Sequence, residues 1–510
     1  MFRKALIATA LLLPTAAQAE WHAATSNHFI VYSEESPEKL QEFTEKLERF
    51  DQAMRAFRLV SDQPRNAGRK VTIYRFGDTG EIAELSGRQN VAGFYIPRAE
   101  GSVAFVPRRS SAMISATDVL LHEYTHDFMF SNWTGAAFPA WFVEGFAEFH
   151  ATAIFRDDGS VIFGANPNHR RYGIGQVMDL PLNKLLTSNV SDLDQDQMDT
   201  LYGRGWLLTH YLTFDAARRR KLAEYIGAIN SGKTPAEAAK ILSDITDIGL
   251  NAYGRRPKMS SGLIRADQIK VGPITVKSLT PGEEAVMPAR IRSQRGVDRK
   301  SAPEVAALAR KLAAPFPNDP GAQTELAEAE FDAEHYAEAA AAADRALAAD
   351  PKWIGALIYR GMAGMELTKK DKAANPEKWR QVRHWFLAAN KVDSEDPEPL
   401  MLFYSSFGAA NEKPTANAEN GLIYAYALAP HDLGLRWTAG RVLLQQGKAR
   451  EARAALAPIA YHPHGGARAK GAQEALVVLD REGAPAALKS LAAFEKKEEQ
   501  PAAKGPKSTD

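Results

Sequence analysis

Prolines recur at near-regular intervals in the C-terminal part of the chain, and this recurrence limits the possible folds more than any other feature of the sequence. The prolines that follow the alanine-rich runs are Pro320, Pro351, Pro397, Pro430 and Pro463, at steps of 31, 46, 33 and 33 residues. A proline cannot continue a helix, because it lacks the amide hydrogen and clashes with the preceding turn. The pattern therefore predicts a succession of helix pairs, each of which ends before a proline.

A period of about 34 residues with a proline after the second helix resembles the tetratricopeptide (TPR) repeat. The clearest copy runs from Leu326 to Pro351 and carries alanines where two helices must approach closely. The resemblance implies an all-α, TPR-like helical solenoid over residues 301–494, which would bind an unknown protein partner. The alternative is a set of generic alanine-rich helices. The charged insertion Thr368–Lys378 is expected to lengthen a loop, and the polar residues 495–510 are expected to be disordered.

The first residues are arranged like a secretory signal peptide. Two basic residues precede the apolar run Ala5–Leu13, and Ala17-Gln18-Ala19 is a small-x-small cleavage site. The run is too short to span a bilayer, and no later stretch is long and apolar enough to do so. We therefore predict that residues 1–19 are removed after Ala19 and that the protein is exported, periplasmic or secreted, and soluble. The alternative is a buried N-terminal helix.

Charge and composition exclude several classes of function. The chain has 63 Lys and Arg residues against 62 Asp and Glu residues, so a strongly basic nucleic-acid binder is excluded on charge. It has no cysteine, which excludes disulfides, thiolate nucleophiles and iron–sulfur clusters held by cysteine. Any metal ion must therefore be bound by His, Asp or Glu side chains.

The N-terminal half divides into segments with different patterns. Residues 20–113 alternate between β-prone runs and helical runs, which predicts an α/β subdomain with a hairpin near its end. Residues 114–255 have helical spacing and are predicted to form a helical subdomain. Residues 256–300 are rich in proline and glycine, and we interpret them as a connector with short strands that could form a small hairpin, rather than as a helix.

The helical subdomain contains an HExxH motif, His122-Glu123-Tyr124-Thr125-His126. On a helix, this spacing places the two imidazoles one turn apart on the same face, where both can bind one zinc ion. Glu123 lies beside them and can take a proton from a zinc-bound water. The alternative is a surface helix with two ordinary histidines. A third ligand decides between these interpretations, because catalytic zinc has three protein ligands and one open position.

Two family arrangements could supply that third ligand. The metzincin arrangement is excluded, because Met129 and Asn132 stand where its glycine and histidine would be. The other arrangement places a glutamate on a following helix, and the segment Pro139–Glu148 contains the pattern W-x-x-E-G-x-A. HExxH followed by this pattern resembles the gluzincin (MA clan) zinc peptidases, particularly the aminopeptidase-N-like family.

The resemblance implies a fold and a set of ligands. The fold is an α+β zincin-like (thermolysin-like) catalytic domain over residues 20–255. One Zn²⁺ per chain would be bound by His122, His126 and Glu144, and Glu123 would be the general base.

The resemblance also implies two further site residues. Glu148 lies one turn after Glu144, where some gluzincins keep a carboxylate that orients a ligand histidine; the alternative is a solvated helix position. Tyr202 begins the segment Tyr202–Leu212, which is similar to the family's Y-x-K-G-aromatic-x-L-x-x-Y-L segment. The tyrosine of that segment donates a hydrogen bond to the oxyanion, whereas the alternative for Tyr202 is a packed core residue.

The sequence departs from the aminopeptidases in one strand. In that family a G-x-M-E-N strand holds the free amino terminus of the substrate, but the corresponding stretch here, Gly101–Val106, has no glutamate. An endopeptidase is therefore favoured over an aminopeptidase, and the strand could instead pair with an extended peptide. Outside the site, His150 is interpreted as a helix-surface residue, His462 as a loop residue and His210 as a minor candidate for the pocket.

These features together favour an exported zinc metallopeptidase that hydrolyses peptide bonds in a peptide or protein substrate. Its C-terminal repeats would bind protein or peptide. Two alternatives stay open: a catalytically silent, peptidase-like TPR scaffold, and a zinc hydrolase that acts on cell-wall peptides.

Overall fold

The computed structural model describes residues 20–63, 65–88, 91–109, 115–170, 173–174, 180–188, 193–463 and 466–499. The predicted signal peptide, residues 1–19, and most of the predicted tail, residues 500–510, lie outside the described residues. Within the described ranges, no helix combines the length and the apolar character that are needed to cross a bilayer.

A six-stranded mixed sheet lies in the described N-terminal part. Its strands are β1 (His22–Thr25), β2 (Phe29–Ser33), β3 (Val71–Asp78), β4 (Phe94–Ile96), β5 (Val103–Arg109) and β9 (Thr275–Ser278), in the order β4-β5-β3-β2-β1-β9. The strands β2, β3 and β5 run parallel, whereas β4 and β9 pair antiparallel at the two edges. The predicted hairpin of β4 and β5 is therefore present. Because β5 is paired on both sides, however, the stretch Gly101–Val106 is not a free edge, and β4 is the edge strand.

Two helices connect the strands of this sheet. α1 (Pro37–Arg58) lies between β2 and β3 along the chain, and α2 (Thr79–Ser86) lies between β3 and β4. Pro37 suits the first position of α1, because its fixed φ is that of a helix and its missing amide hydrogen would have no partner there. The apolar face of α1, which includes Leu40 and Leu47, is buried against the sheet.

A helical part follows the sheet. Its helices are α3 (Ala116–Asn132), α4 (Ala140–Ala151), α5 (Leu182–Thr187), α6 (Gln195–Thr213), α7 (Ala216–Asn230), α8 (Pro235–Ala239) and α9 (Asp247–Gly254). A small antiparallel sheet of β6 (Ile154–Phe155), β7 (Val161–Phe163) and β8 (Gly262–Ile264) lies beside α1. The predicted site residues all lie on α3, α4 and α6, and α4 packs against both of the others.

The segment 256–300 differs from the predicted connector. Its short strands are present, but β8 pairs with β7 and β9 pairs with β1, so they do not form a hairpin with each other. The segment also contains a helix, α10 (Pro281–Arg295), which the sequence interpretation excluded. Thr280 and Glu283 cap its first turn reciprocally, and this start signal outweighs the cost of Pro288 in its interior. The prediction was wrong because it gave more weight to the prolines than to the cap.

The C-terminal part is a helical solenoid. Its helices are α11 (Ala302–Ala313), α12 (Pro320–Asp332), α13 (Tyr336–Ala349), α14 (Ile354–Lys370), α15 (Pro376–Val392), α16 (Pro397–Ala409), α17 (Ala416–Leu428), α18 (Leu433–Gln445), α19 (Ala449–Ala460), α20 (Gly466–Glu482) and α21 (Ala484–Glu499). Each helix packs on the next one. Asp319 and Asp396 cap α12 and α16 directly before two of the prolines that mark the period. The predicted succession of helix pairs is confirmed.

Two details of the solenoid differ from the prediction. The insertion Thr368–Lys378 mainly lengthens the helices on either side, because α14 and α15 have 17 residues each and only a short turn separates them. The helix α21 continues to Glu499, so residues 495–499 of the predicted tail are helical. Trp437 explains the extension, since its Nε1 donates a hydrogen bond to Glu495 Oε1 at 2.7 Å.

Candidate metal centre

The two histidines of the HExxH motif lie one turn apart on α3, with their Nε2 atoms 3.1 Å from each other. The helix starts at Ser115, whose hydroxyl accepts a hydrogen bond from the amide of Thr117. Glu144 Oε2 on α4 lies 3.3 Å from His122 Nε2 and 3.6 Å from His126 Nε2. The structure thus brings together the three residues that the gluzincin resemblance names as ligands.

These separations fit one metal ion. Zinc binds nitrogen and oxygen ligands at about 2.0–2.2 Å, so two ligands in a tetrahedral arrangement lie about 3.3–3.6 Å apart. The ligand atoms of His122, His126 and Glu144 all lie within 4.8 Å of one another. Two imidazole nitrogens and one carboxylate oxygen form a donor set that suits Zn²⁺ and leaves one position open.

The helix that carries Glu144, α4, also approaches α6 at the level of the backbones. A Cβ atom added to Gly145 would lie 2.3 Å from the carbonyl carbon of Gly205, and one added to Gly205 would lie 2.6 Å from the carbonyl oxygen of Trp141. Only glycine can therefore occupy these two positions at the observed distance between the helices. This contact fixes the helix that carries Glu144 against the helix that carries Tyr202.

Glu148 supports His122 from behind the metal site. Its Oε1 lies 3.4 Å from Nδ1 of His122, the ring nitrogen that does not face Glu144. His169 Nε2 lies 3.0 Å from the other oxygen, and Arg170 Nε donates to Oε1 at 2.8 Å. Glu148 is only 1% exposed, so the alternative of a solvated helix position does not describe it.

The charged groups of this cluster shift one another's pKa values. Burial by itself would raise the pKa of Glu148, but the hydrogen bonds of His122 and His169 and the charges of His122 and Arg170 hold it well below the usual value. Burial lowers the pKa of His122, but Glu144 and Glu148 together outweigh burial and raise it to about 10. Glu148 is therefore an anion, placed to accept a hydrogen bond from Nδ1 of His122, while Nε2 faces the metal position.

His169 and Arg170 were missed by the sequence analysis. They follow Glu148 by 21 and 22 residues and lie in a short 3-10 turn, Asn168–Arg170. Neither stands at a spacing that a helical or strand period would single out. The sequence offers one weak signal for them. Two adjacent basic residues follow the segment that carries Glu144 and Glu148, and a buried carboxylate needs a positively charged or hydrogen-bonding partner.

Tyr202 on α6 lies beside the first ligand. Its ring centre is 6.0 Å from that of His122, and the guanidinium of Arg170 lies 4.4 Å from the centre of the tyrosine ring. Burial raises the pKa of Tyr202, and the negative charge of Glu144 raises it further. The hydroxyl is therefore protonated at neutral pH and can act as a hydrogen-bond donor.

A second group of potential ligands lies behind α3, but its side chains pair with one another. His28 Nδ1 lies 2.9 Å from Glu48 Oε2, and His28 Nε2 lies 3.1 Å from Asp62 Oδ1. Asp51 is bound by Arg55 at 2.6 Å and accepts a hydrogen bond from Tyr124 of the HExxH motif, also at 2.6 Å. This buried network anchors α3 to α1, and we assign it a structural role.

Two other histidines differ from their predicted roles. His150 is fully buried rather than on a helix surface; its Nδ1 lies 2.7 Å from the carbonyl of Phe146, and Arg58 donates to its Nε2. Burial holds its pKa well below the usual value. His210 is also buried, and its two ring nitrogens contact Tyr253 and the carbonyl of Ser260 rather than the pocket.

Comparisons with known proteins add little to this geometry. No protein-family model matches the sequence, and no curated protein matches it. Among solved structures, a thermophilic TPR protein of Thermus thermophilus is similar to 38% of this chain over 99% of its own length, with 18% identity and a TM-score of 0.32. The MamA RS-1 ArsTM double mutant is similar to 43% of this chain over 98% of its own length, with 13% identity and a TM-score of 0.26. These scores are too low to argue from, so the description of the solenoid rests on its own helices.

Proposed function

We propose that this protein is a zinc-dependent metallopeptidase of gluzincin type, with one Zn²⁺ bound by His122, His126 and Glu144. The observation that carries the proposal is the convergence of these three side chains on one point, with Glu148 behind His122. Two imidazole nitrogens and one carboxylate oxygen at this spacing are the donor set that a catalytic Zn²⁺ site uses.

The side chains around the centre have complementary roles in peptide hydrolysis. When bound, Zn²⁺ would supply a Lewis acid and lower the pKa of a water in the open position to about 7. Glu123, which follows the first ligand and is half-buried, would accept a proton from the attacking water and deliver it to the leaving amine. The hydroxyl of Tyr202 would donate a hydrogen bond to the oxyanion that develops on the attacked carbonyl.

The remaining polar residues would hold this arrangement in place. Glu148 fixes the tautomer and the orientation of His122, and His169 and Arg170 fix Glu148. Arg170 also contacts the ring of Tyr202, so the same residue supports a ligand and the predicted oxyanion donor. We favour cleavage within a chain over removal of its first residue, because the sequence has no glutamate to hold a free amino terminus in Gly101–Val106.

Export and partner binding are parts of the same proposal. The predicted signal peptide would deliver the enzyme to the periplasm or the medium, where a chain without cysteine is indifferent to an oxidising environment. The solenoid offers a second candidate function, since stacked helix pairs form extended surfaces that commonly bind proteins. In that case the protein would be a binding scaffold whose metal centre does not turn over.

The experiment is a digest of a peptide library with the mature protein, with metal analysis on every variant. We expect turnover that a chelator removes and zinc restores, and one zinc per chain. Glu123→Gln should abolish turnover and retain zinc, whereas His126→Ala should lose zinc as well. A protein that holds one zinc and cleaves no peptide in the library would support the scaffold, and a protein that binds no zinc after reconstitution would contradict both the metal centre and the peptidase.

A second experiment isolates the oxyanion donor. Tyr202→Phe deletes one hydroxyl and keeps the ring against Arg170, so kcat should fall by about 10²–10³ with little change in KM. Zinc content should stay at the wild-type level. Tyr211→Phe is the matched control, because it removes a hydroxyl from the same helix at a ring that packs on Tyr253. Equal activity in both variants would assign the oxyanion donor elsewhere.

A further inference from the structure

A cavity of about 380 Å³ lies between the metal-site helix and the solenoid. Glu123 and His126 line one side of it. The other side is formed by the turns that precede α18 and α20, with His431 and Pro463, and by Leu433 and Gly434, the first two residues of α18. Its volume falls at the lower end of the range for small-ligand pockets, which is about 300–1,000 Å³. The predicted general base and one metal ligand therefore share a pocket with residues that come much later in the chain.

The lining of this cavity is mainly apolar, with contributions from Tyr95, Phe130 and Val143 as well as from the two turns. The ring of Phe130 also packs on His462, at 5.2 Å between ring centres. These side chains offer surface to an apolar group and provide few hydrogen-bonding sites for a polar one.

Apart from Glu123, the predicted general base, and His126, a predicted metal ligand, the charged groups of the lining have partners within the protein. Asp127 Oδ2 lies 2.8 Å from Arg65 Nη1, and its Oδ1 lies 3.7 Å from His431. The other ring nitrogen of His431 lies 2.9 Å from the carbonyl oxygen of Arg98. Asp432 caps α18 by accepting a hydrogen bond from the amide of Leu435 at 2.6 Å. A charged substrate side chain would thus find these groups already paired.

We propose that this cavity binds a large apolar side chain of the peptide substrate, next to the bond that is cleaved, and that the turn before α18 determines this preference. The inference rests on the proposed peptidase function and names its substrate class. The solenoid then forms one wall of the active-site pocket, in addition to any surface that it offers to a partner.

The wall is held firmly enough to select a side chain. Leu443, Leu456 and Ile459 of α18 and α19 belong to the same buried core as Tyr124 and Phe128 of α3. Because interiors of this kind are close-packed, the turn before α18 cannot move away from α3 without opening that core.

The experiment fills the cavity from the solenoid side. Gly434 is the second residue of α18, and a Cβ atom there would meet only Asp432 at 3.3 Å and Arg468 at 3.6 Å. Because Gly434 lines the cavity, we expect Gly434→Leu to narrow it from the solenoid side and to keep the helix. Gly408→Leu is the matched control, since Gly408 lies on α16 with nothing within 4 Å of an added Cβ atom. Gly434→Ala, with only one added methyl group, replaces the leucine variant if that variant does not fold.

The readout is binding, so it does not depend on turnover. Two hydroxamates that differ only in a benzyl or a methyl side chain are titrated by calorimetry into the mature, zinc-loaded protein. We expect the benzyl compound to bind at least about tenfold more tightly to the wild type and to Gly408→Leu. In Gly434→Leu this preference should disappear, mainly through weaker binding of the benzyl compound. Equal affinities in the wild type, no binding of either compound, or an unchanged preference in Gly434→Leu would overturn the inference.

Comparison with the peptide digest separates the two proposals. A benzyl preference without any peptide cleavage would support the pocket and contradict the peptidase. Cleavage without a preference for large apolar residues at any position would support the peptidase and overturn the pocket.

Discussion

The first and last helices of the solenoid follow the same period but are stabilised in different ways. Between α11 and α16 the buried side chains form small separate clusters, in which alanine predominates in the first two. From α18 to α21 the buried side chains join the core of the N-terminal half, where leucines such as Leu443 and Leu456 stand beside alanines such as Ala452. A repeat period therefore predicts that neighbouring helices pack on each other, but it does not show whether they also pack on something else.

The polar contacts follow the same division. The middle of the solenoid shares one small buried cluster with Ala99 of the N-terminal half. Its polar contacts with that half lie nearer the surface, with Arg69 Nη1 3.2 Å from Glu395 Oε2 and Asn66 donating to Asp393 at 2.8 Å. The later repeats make the buried contacts of His431 with Asp127 and with the carbonyl of Arg98. We expect the later repeats, α18 to α21, to be needed for a stable metal site. The earlier repeats, α11 to α16, should mainly stabilise one another.

The largest expected effect is that of removing the later repeats. A chain that ends at Ala429 would expose the core around Phe128 and Phe130, so we expect aggregation or loss of fixed tertiary structure in the N-terminal half. Near-ultraviolet circular dichroism and zinc content measure this, with a chain that ends at Glu499 as control. A soluble truncated protein with the native spectrum and full zinc would show that the two regions do not share one core.

A pair of leucine substitutions gives a finer comparison. Leu456→Ala on α19 and Leu357→Ala on α14 remove the same atoms from buried sites, and each should lower the free energy of unfolding by about 2–5 kcal/mol. Only Leu456→Ala should also speed hydrogen exchange of the amides of α3, because only Leu456 belongs to the same buried core as that helix. Equal exchange of α3 in both variants would contradict the comparison.

The stability of the protein should depend on pH through His28, in the buried network that joins α3 to α1. Burial lowers the pKa of His28, but Asp51, Asp62 and Glu48 outweigh burial and raise it from 6.5 to about 9. Because the folded value is the higher one, the stabilisation is fully present below about pH 6.5 and is lost as the pH rises through about 9. The contribution of His28 to the free energy of unfolding is at most about 3 kcal/mol.

The measurement is the difference in unfolding free energy between the wild type and His28→Gln at pH 6.5 and at pH 9.5. Taking the difference cancels the other titrating groups. We expect the advantage of the wild type to shrink at the higher pH, and an advantage that does not change with pH would exclude a charged His28.

The smallest effect should be found at the surface contact in the middle of the solenoid. Arg69 and Glu395 are 20% and 44% exposed, and pairs of this kind are worth less than about 1 kcal/mol. A double-mutant cycle of Arg69→Ala and Glu395→Ala should give a coupling energy in that range that falls with salt. A larger coupling would mean that the middle of the solenoid is also firmly attached.

The sequence was most informative where the physical rule is local. The HExxH spacing, the prolines and the helix caps each depend on a few neighbouring positions, and α3 and the succession of helix pairs follow from them. The convergence of Glu144 and Glu148 on the histidines could also be predicted, but only through the resemblance to a known motif.

Long-range contacts were not accessible in the same way. His169 and Arg170 reach Glu148 through the fold and have no diagnostic spacing, and His150 is buried because α1 covers it with Arg58. The later repeats share a core with α3, although their helices match the earlier ones in period. A periodic pattern does not show which other part of the protein a helix packs against.

The contact between Gly145 and Gly205 has a consequence for motion. Since the two backbones touch, the carboxylate of Glu144 and the hydroxyl of Tyr202 are carried by what is mechanically one rigid unit. Thermal displacements of that unit will move both groups together, so the distance between them should fluctuate less than the distance from either group to the solenoid wall.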